Sequence, residues 1–242
     1  IVSEATYNGK IFGFSKLPLN IQSGLLYNKR LFRENGLTDP NELVRQGKWD
    51  FNTLEEYAKQ LTKTGSDGAN TTWGLSSMDN HWLMTTFIIA NGGRIIDFSQ
   101  SPPKFVMDEP KSLQALEVYN RMLNIDKTIL IRPMGGNWQL NPQAFANGQV
   151  GMMRIEQWVI EYVRDLMMEN GSEEDYGLTY FPQGPGADGF VDETFGGNIY
   201  FIPASSDNER AKAALLVYDA LLEMHDPSIS FEESTRNIAE SL

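Results

Sequence analysis

Short apolar runs that alternate with amphipathic helical patterns are the feature of this chain that most restricts its fold. Strand-like runs are predicted at Gly24–Tyr27, Trp73–Leu75 and Val150–Ile155. Helical periodicity follows, for example at His81–Ala90 and Trp158–Met168. Strands that alternate with helices along a chain are typical of an α/β fold, so we expect the α/β class.

Turn and capping signals predict where several elements begin and end. Asn8-Gly9 indicates a tight turn before a strand at Ile11–Phe14. Asn28 is the predicted N-cap of a short helix, and Thr53–Glu56 has the pattern of a capping box. A further helix is predicted over Pro110–Leu123. Its inward face is expected to hold Leu113, Leu116, Tyr119 and Leu123.

Charge and cysteine content exclude several kinds of site. The formal net charge is −12 and no basic patch stands out, so nucleic-acid binding is not expected. The absence of cysteine excludes disulfides, thiolate nucleophiles and cysteine-ligated zinc. No stretch approaches the roughly 20 apolar residues of a membrane-spanning helix, and residues 1–8 do not resemble a signal peptide.

Sequence patterns for catalysis or cofactor binding are weak throughout. His81 and His225 are isolated, and no nucleophile-elbow motif accompanies them. Gly184–Gly186 lacks the lysine of a phosphate-binding loop, so no metal or cofactor is expected. Glu156 is the best single candidate for a glycosidase acid, but nothing in the sequence identifies its partner carboxylate. A carboxylate placed favourably at a helix N-terminus is the preferred interpretation of Glu156.

Tryptophans at element boundaries are more informative than the histidines. Trp82, Trp138 and Trp158 each stand beside polar residues rather than inside a periodic apolar run. In a carbohydrate subsite an indole stacks on the C–H face of a sugar, and neighbouring amides and carboxylates bind the hydroxyl groups. The sequence therefore predicts a sugar-binding surface. Its candidate residues are Asn80, His81, Trp82, Trp138, Glu156 and Trp158.

A set of motifs in a fixed order runs along nearly the whole chain. They are Tyr7–Gly13, Leu25–Leu37, Trp49–Glu56, Ala90–Gly93, Ala144–Met152 and Phe195–Asn198 followed by Ile202-Pro203. In this order they resemble the signatures of family 1 extracellular solute-binding proteins, the maltose-binding-protein-like receptors that deliver sugars to ABC importers. Each motif alone is weak, but the ordered set is specific.

The resemblance implies a type II periplasmic-binding-protein-like fold, in which two α/β lobes joined by a hinge close on a ligand. It implies that residues 1–16 end the first lobe and form a hinge crossing. Residues 17–192 would then form the second lobe, nearly complete, and residues 193–242 would return to the first. Family members begin with a signal peptide, often with a lipoprotein cysteine, and continue beyond the equivalent of Leu242. We therefore expect this chain to be a fragment of a lipid-anchored extracellular or periplasmic protein.

The same resemblance implies roles for individual residues. Trp82 and Trp158 fall where sugar-stacking aromatic residues are found in the family, and Glu156 is a candidate hydroxyl acceptor. Polar ligand contacts are expected in the crossing between lobes, at Asn20, Gln22 and Ser23. Close backbone approach to the ligand is expected at Gly196, Gly197 and Asn198. The implied partners are a sugar or oligosaccharide and the permease subunits of the importer.

Two other functions stay open at this point. One is a carbohydrate-active hydrolase with Glu156 as its acid. The other is a receptor for a different solute, such as a polyamine, a metal complex or a peptide. The acidic net charge leaves a polyamine conceivable, whereas the tryptophans favour a sugar.

Overall fold

The structure is a computed structural model that describes residues 6–7, 10–11, 13, 20–21, 24–132, 136–172, 175–191, 194–195, 200–203 and 205–223. The chain divides into two compact units. The larger unit is Asn20–Phe195, and the smaller combines Ile1–Leu19 with Gly196–Leu242. The assignment of residues 1–16, 17–192 and 193–242 to hinged lobes stays a prediction.

Strands and helices alternate along most of the described chain. The strands are β1 (Thr6–Tyr7), β2 (Lys10–Ile11), β3 (Asn20–Ile21), β4 (Gly24–Asn28), β5 (Lys63–Thr64), β6 (Asn70–Ser77), β7 (Ile96–Asp97), β8 (Lys104–Phe105), β9 (Ile129–Leu130), β10 (Val150–Ile155), β11 (Tyr176–Tyr180) and β12 (Thr194–Phe195). The helices are α1 (Lys29–Glu34), α2 (Pro40–Arg45), α3 (Phe51–Leu61), α4 (Asn80–Ala90), α5 (Pro110–Asn120), α6 (Leu140–Ala146), α7 (Gln157–Glu169) and α8 (Asn208–Glu223). A π-helical turn, Arg121–Ile125, continues α5.

A six-stranded mixed sheet forms the centre of the larger unit. Its order is β11-β4-β10-β6-β5, and β9 also pairs with β6. β10 and β9 both run parallel to β6, whereas β4 is antiparallel to β10 and to β11. Helices pack on both faces, so the predicted α/β class is confirmed.

Burial on both faces explains why the central strands are almost continuously apolar. Every residue of β4 and of β10 is buried, as expected for strands covered by helices on either side. One core contains Leu25, Leu54 and Phe87, and the other contains Leu26, Met153 and Val159. Gly74 lies so close to the backbone of α3 that a Cβ atom would overlap Ala58, which explains a glycine inside β6.

Capping contacts confirm one predicted N-cap and correct another. Asn28 Oδ1 accepts a hydrogen bond from the backbone N–H of Leu31 at 3.0 Å, as predicted. Helix α3, however, begins at Phe51, and its N-cap is Asp50, whose Oδ1 accepts from the Thr53 N–H at 2.9 Å. The Thr53 hydroxyl donates instead to the carbonyl oxygen of Lys48. The predicted capping box at Thr53–Glu56 was therefore wrong, because Asp50 offers an acceptor one turn earlier.

The buried face of α5 also differs from the prediction. The residues on this face are Ser112, Ala115 and Val118, and Met122 follows in the π-helical turn. Leu113 is exposed, whereas Leu116, Tyr119 and Leu123 only flank the core. Apolar periodicity missed this face because small residues line it. The Ser112 hydroxyl donates to the Arg94 carbonyl oxygen at 3.0 Å, which brings α5 close to the segment after α4.

The outer strand β11 is fastened by side chains from outside the sheet. The Asn41 amide donates to the Leu178 carbonyl oxygen at 3.0 Å, and the Trp49 indole N–H donates to the Tyr180 carbonyl oxygen at 2.9 Å. Trp49 is fully buried and belongs to the core that α3 covers. These contacts fix β11 against α2 and the start of α3.

The glycine- and proline-rich segment Pro182–Gly189 is held by one buried asparagine. Asn91 Oδ1 accepts from the Gly186 N–H at 2.7 Å, and its Nδ2 donates to the Lys111 carbonyl oxygen at 2.7 Å. Gly184 packs so tightly on Asn91 that any side chain there would overlap it. Asn91 therefore joins this segment to the C-terminal end of α4 and to the first turn of α5.

The smaller unit is described only in part. β1 and β2 pair antiparallel with Tyr7 opposite Lys10. The predicted turn at Asn8-Gly9 lies outside the described residues. Helix α8 packs through Tyr218, whose ring centroid lies 4.5 Å from that of Tyr200. No helix in the described part of the chain is long and apolar enough to cross a membrane.

Candidate functional site

The carboxyl ends of the parallel strands β6, β9 and β10 meet at one edge of the sheet. Open α/β sheets bind ligands at such an edge, because loops and helix N-termini converge there. Helix α4 follows β6 after Met78-Asp79, and α7 follows β10 after Glu156 alone. We call the residues gathered here the edge cluster. Its members are Asp79, Asn80, His81, Trp82, Arg132, Arg154, Glu156 and Trp158.

A buried ion pair lies at the centre of the edge cluster. The Arg154 side chain is 1% exposed, and its Nη1 donates to Glu156 Oε1 at 2.8 Å. Arg154 Nε also donates to the Thr86 hydroxyl on α4 at 3.1 Å. Removing one partner from such a pair leaves a buried charge without compensation, which costs about 3–5 kcal/mol. The contact therefore fixes α4, β10 and the start of α7 together.

Glu156 is the N-cap residue of α7, but its side chain does not cap the helix. Its second carboxylate oxygen, Oε2, accepts from the indole N–H of Trp158 at 2.7 Å. Glu156 therefore lies at the helix N-terminus that the sequence predicts, but its carboxylate oxygens bind other side chains instead of the N–H groups of the first turn. Glu156 is directed at an arginine and a tryptophan.

Two tryptophans of the edge cluster expose large parts of their rings. Trp82 is 43% exposed and Trp158 is 53% exposed. The guanidinium carbon of Arg154 lies 5.8 Å from the Trp82 ring centroid, within cation–π range. The exposed ring of His81 lies beside Trp82, with centroids 5.1 Å apart. Both tryptophans are thus about half accessible to solvent, and the Trp82 ring is contacted by Arg154 and His81.

Trp138 lies next to Trp158 rather than forming a separate subsite. Their ring centroids are 5.4 Å apart in an edge-to-face arrangement, and Tyr162 lies 5.0 Å from Trp138 on its other side. Trp138 is only partly exposed. Its contacts place it as a support for Trp158, supplied by the segment before α6.

A second arginine–carboxylate pair lies at the ends of β6 and β9. Arg132 Nη2 donates to Asp79 Oδ1, and Asp79 is the N-cap residue of α4 without a capping hydrogen bond from its side chain. Asn80 is partly buried, and its carbonyl oxygen accepts from the Tyr119 hydroxyl at 3.4 Å. Asn141, fully buried on α6, donates to the Ser77 carbonyl oxygen at 2.5 Å. These contacts fix the strand end from which α4 starts.

Several important residues were not predicted from the sequence. Arg154, Arg132, Asp79, Thr86 and Tyr162 were all missed. Arg154 had a usable signal, since it is the one charged residue within the apolar strand Val150–Ile155. Its partner on α4, Thr86, is distant in sequence and had no such signal.

The side chains of the other predicted site residues lie outside the described part of the chain. The backbone of Asn20 lies in β3, opposite Phe195 of β12, but its side chain lies outside the described part of the chain. Gln22, Ser23, Gly196, Gly197 and Asn198 also lie outside the described residues. Their predicted ligand contacts stay predictions.

The contacts of Glu156 and the distribution of possible metal ligands describe the chemistry of this site. The Glu156 carboxylate contacts an arginine and an indole rather than a second carboxylate. No group of histidine and carboxylate side chains suited to a metal ion occurs among the described residues. Two surface grooves are lined by other residues, one around Asp50 and Gln183 and one around Phe32 and Asp39. Neither is lined by the edge tryptophans.

Comparison with known families gives a match over most of the chain. The profile described as "Bacterial extracellular solute-binding protein" matches residues 1–221. No curated protein sequence matches the chain significantly.

Solved structures share this fold at low sequence identity. The GacH receptor of Streptomyces glaucescens, studied unliganded and with acarbose, is 22% identical with a TM-score of 0.64, over 90% of this chain and 51% of that one. A Listeria monocytogenes ABC substrate-binding protein in complex with cycloalternan is 20% identical with a TM-score of 0.63, over 88% and 49%. The maltotriose-bound MalE domain of Bdellovibrio bacteriovorus is 16% identical with a TM-score of 0.62, over 88% and 50%.

These likenesses confirm the predicted type II periplasmic-binding-protein-like fold. The chain spans about half the length of the solved structures that it matches.

Proposed function

The chain belongs to the bacterial extracellular solute-binding proteins, and from this membership we propose that it is part of the substrate-binding component of an ABC importer for a sugar or an oligosaccharide. Members of this family bind substrates rather than transform them. In the proposed function the ligand stabilises a closed state through a hinge motion, and the importer recognises that state.

The observation that supports a sugar is the pair of half-exposed indoles at the carboxyl edge of the sheet. Trp82 and Trp158 are each about half exposed. The Arg154 guanidinium lies over the Trp82 ring, and Glu156 accepts from the indole N–H of Trp158. An apolar, rigid ring surface suits the C–H face of a pyranose, and nearby polar groups suit its hydroxyls. These polar groups include the side chains of Asn80 and His81. They also include the lone pairs of the Glu156 carboxylate oxygens that Arg154 and Trp158 leave unoccupied.

The charges of the edge cluster favour a neutral ligand over a polyamine. Glu156 is paired with Arg154, and Asp79 is paired with Arg132. A cation already lies against the Trp82 ring, so that ring has less attraction left for a second cation. A polyamine receptor would instead need carboxylates directed at the ligand. The paired charges therefore favour an uncharged, polyhydroxylated solute.

The same contacts argue against the hydrolase alternative. A glycosidase needs two carboxyl groups on either side of the scissile bond, and one of them must deliver a proton. Glu156 shares its oxygens with a guanidinium and an indole N–H instead. We infer that the chain performs no hydrolysis. Incubation with oligosaccharides should release no sugar, and Glu156→Gln should leave that result unchanged.

The remaining parts of the proposal follow from the family. The partners are the permease subunits of the importer, and the protein acts outside the cytoplasmic membrane, held there by a lipid anchor. Residues 1–16 and 193–242 contribute to one lobe, and residues 17–192 form the other. Asn20, Gln22, Ser23, Gly196, Gly197 and Asn198 are proposed to supply further ligand contacts.

A thermal-shift screen tests the ligand class. The purified protein is heated with a panel of monosaccharides, oligosaccharides, polyamines and iron chelates. A ligand present at about one hundred times its Kd stabilises a protein by about 2.7 kcal/mol, which gives a clear rise in Tm. We expect a rise with a sugar, and we expect it to disappear in Trp82→Ala and in Trp158→Ala.

The matched control is Phe98→Ala, which removes a 76% exposed aromatic ring outside the edge cluster. This variant should keep the full sugar-induced rise in Tm. A rise with a polyamine or an iron chelate alone, or a sugar response that survives both tryptophan substitutions, would contradict the proposal.

A further inference from the structure

The two exposed tryptophans of the edge cluster come from different helices, yet one buried side chain connects them. Trp82 lies in the first turn of α4, and Trp158 lies in the first turn of α7. Arg154 on β10 contacts the Trp82 ring through its guanidinium group, at 5.8 Å from the ring centroid. Through Glu156 it also reaches the indole N–H of Trp158, over hydrogen bonds of 2.8 and 2.7 Å.

We propose that Arg154 is a positioning residue that sets the orientation of both ligand-facing indoles at once. This role rests on the proposed function, because it concerns how the two indoles of that site are oriented before a ligand binds. Arg154 acts through its neighbours, because its side chain is only 1% exposed and contacts the Trp82 ring, the Thr86 hydroxyl and the Glu156 carboxylate.

The geometry explains why an arginine is suited to this position. Its planar guanidinium can donate along several directions while its face lies against an aromatic ring. Here Nε donates to the Thr86 hydroxyl, at 3.1 Å, and Nη1 donates to Glu156. Thr86 in turn donates to the carbonyl oxygen of Trp82 at 2.9 Å. Trp82 is therefore held through its ring and through its backbone.

Glu156 has a corresponding role on the other side of the pair. Glu156 is 9% exposed. Its Oε1 accepts from Arg154, and its Oε2 accepts from the Trp158 indole N–H. Its main contribution is to hold the Trp158 indole, which Trp138 supports at the ring edge. A rigid, pre-oriented aromatic surface binds a ligand more tightly because less side-chain freedom is lost on binding.

The test replaces Arg154 by methionine, which keeps an unbranched apolar chain but removes the charge and every N–H donor. The protein is labelled with fluorotryptophan, so that each of its five tryptophans gives a fluorine NMR signal that Trp→Phe substitutions assign. Spectra are recorded without ligand. We expect the Trp82 and Trp158 signals to shift and broaden, and those of Trp49 and Trp73 to stay in place.

Arg164→Met is the matched control. Arg164 lies on α7, is about half exposed and pairs with Asp165 at 3.0 Å. All five tryptophan signals should keep their positions in this variant. Arg154→Lys restores a cation beneath the indole, so it should return the Trp82 signal towards its original position. Unchanged Trp82 and Trp158 signals in Arg154→Met would overturn the positioning role.

A second variant decides the question if Arg154→Met also moves the buried Trp49 and therefore alters the whole fold. Glu156→Gln keeps the size of the side chain but removes the ion pair. We expect it to move the Trp158 signal and to leave Trp82, which Arg154 and Thr86 still hold. A Trp158 signal that does not move in Glu156→Gln would equally overturn the proposal.

Binding of maltotriose, measured by calorimetry, separates this inference from the proposed function. Arg154→Met should raise the Kd at least about tenfold, equivalent to about 1.4 kcal/mol, whereas Arg164→Met should not change it. An unchanged Kd in Arg154→Met would overturn the link between positioning and binding. If the original protein binds no sugar, the proposed ligand class fails, and the ligand-free fluorine spectra still decide the role of Arg154.

Discussion

Asp79 and Glu156 occupy equivalent positions, each the N-cap residue of a helix that follows a parallel strand. An acidic residue at this position normally accepts hydrogen bonds from the first turn of its helix. Asp79 instead accepts from Arg132, which follows β9, and Glu156 accepts from Arg154, two residues earlier on β10. The local sequence cannot predict the Asp79 contact, because Arg132 is distant in sequence and is brought to Asp79 only when β9 has paired with β6.

The hydrogen bonds to Asp97 predict how the stability of the fold changes in acidic solution. Its carboxylate accepts from the Ser99 hydroxyl at 2.6 Å, the Gln100 amide at 3.0 Å and the Ser99 N–H at 3.0 Å. These hydrogen bonds, the Ser99 hydroxyl first among them, lower the pKa of Asp97 from 3.8 to about 2. A lowered pKa means that the ionised group stabilises the fold above its unfolded-state pKa. This contribution is lost as the pH falls from 3.8 towards 2.

Asp97→Asn should therefore lower the free energy of unfolding at neutral pH, and the difference from the original protein should shrink as the pH falls through that range. Urea unfolding at a series of pH values measures it. Asp188→Asn, at an exposed carboxylate, serves as the control and should show a small difference at every pH. A difference for Asp97→Asn that stays constant down to the lowest pH would contradict the prediction.

At the level of elements, the strands and most helix positions could be predicted because their signals are local. β4, β6, β10, α4 and α7 all lie where apolar periodicity and turn residues indicate them. The errors concern which face or which cap is used. The inward face of α5 is lined by Ser112 and Ala115, and the approach of the next segment selects it rather than hydrophobicity.

Helix α3 allows a direct test of its corrected N-cap. Asp50→Ala removes the acceptor for the Thr53 N–H, and loss of such a cap costs about 0.5–2 kcal/mol. Thr53→Ala removes only an exposed hydroxyl contact with the Lys48 carbonyl oxygen and should cost less. Chemical denaturation followed by circular dichroism measures both. A larger loss for Thr53→Ala than for Asp50→Ala would show that the capping box predicted from sequence is the correct one.

For the whole molecule, the sequence could indicate where a site would form but not how it is held. Polar residues and tryptophans follow β6 and β10, and parallel pairing brings them to one edge. The support behind them depends on register. Arg154 is opposite Ser77 on β6, which places it beneath α4 and Trp82. Trp138 meets Trp158 only through the packing of α6 on α7, so its ring contact could not be predicted from its neighbours in sequence.

The net charge of the molecule gives a further test of the ligand class. At a net charge of −12, a cationic ligand would be attracted over long distances, and salt would weaken its binding. The Debye screening length falls from about 30 Å at 0.01 M salt to about 3 Å at 1 M. A neutral sugar should therefore bind with nearly the same Kd at both concentrations. Calorimetry at low and high salt checks this, and a strongly salt-dependent Kd for the preferred ligand would indicate a cation instead.

The hydrogen bonds that side chains donate to β11 affect how one molecule can associate with another. Among the described strands, β11 is the last at its side of the sheet, and an unoccupied strand edge can act as a template on which another chain adds by hydrogen bonding. Asn41 and Trp49 already occupy the carbonyl oxygens of Leu178 and Tyr180. A neighbouring molecule finds fewer acceptors there, so the sheet stops at its own chain instead of growing from one molecule into the next.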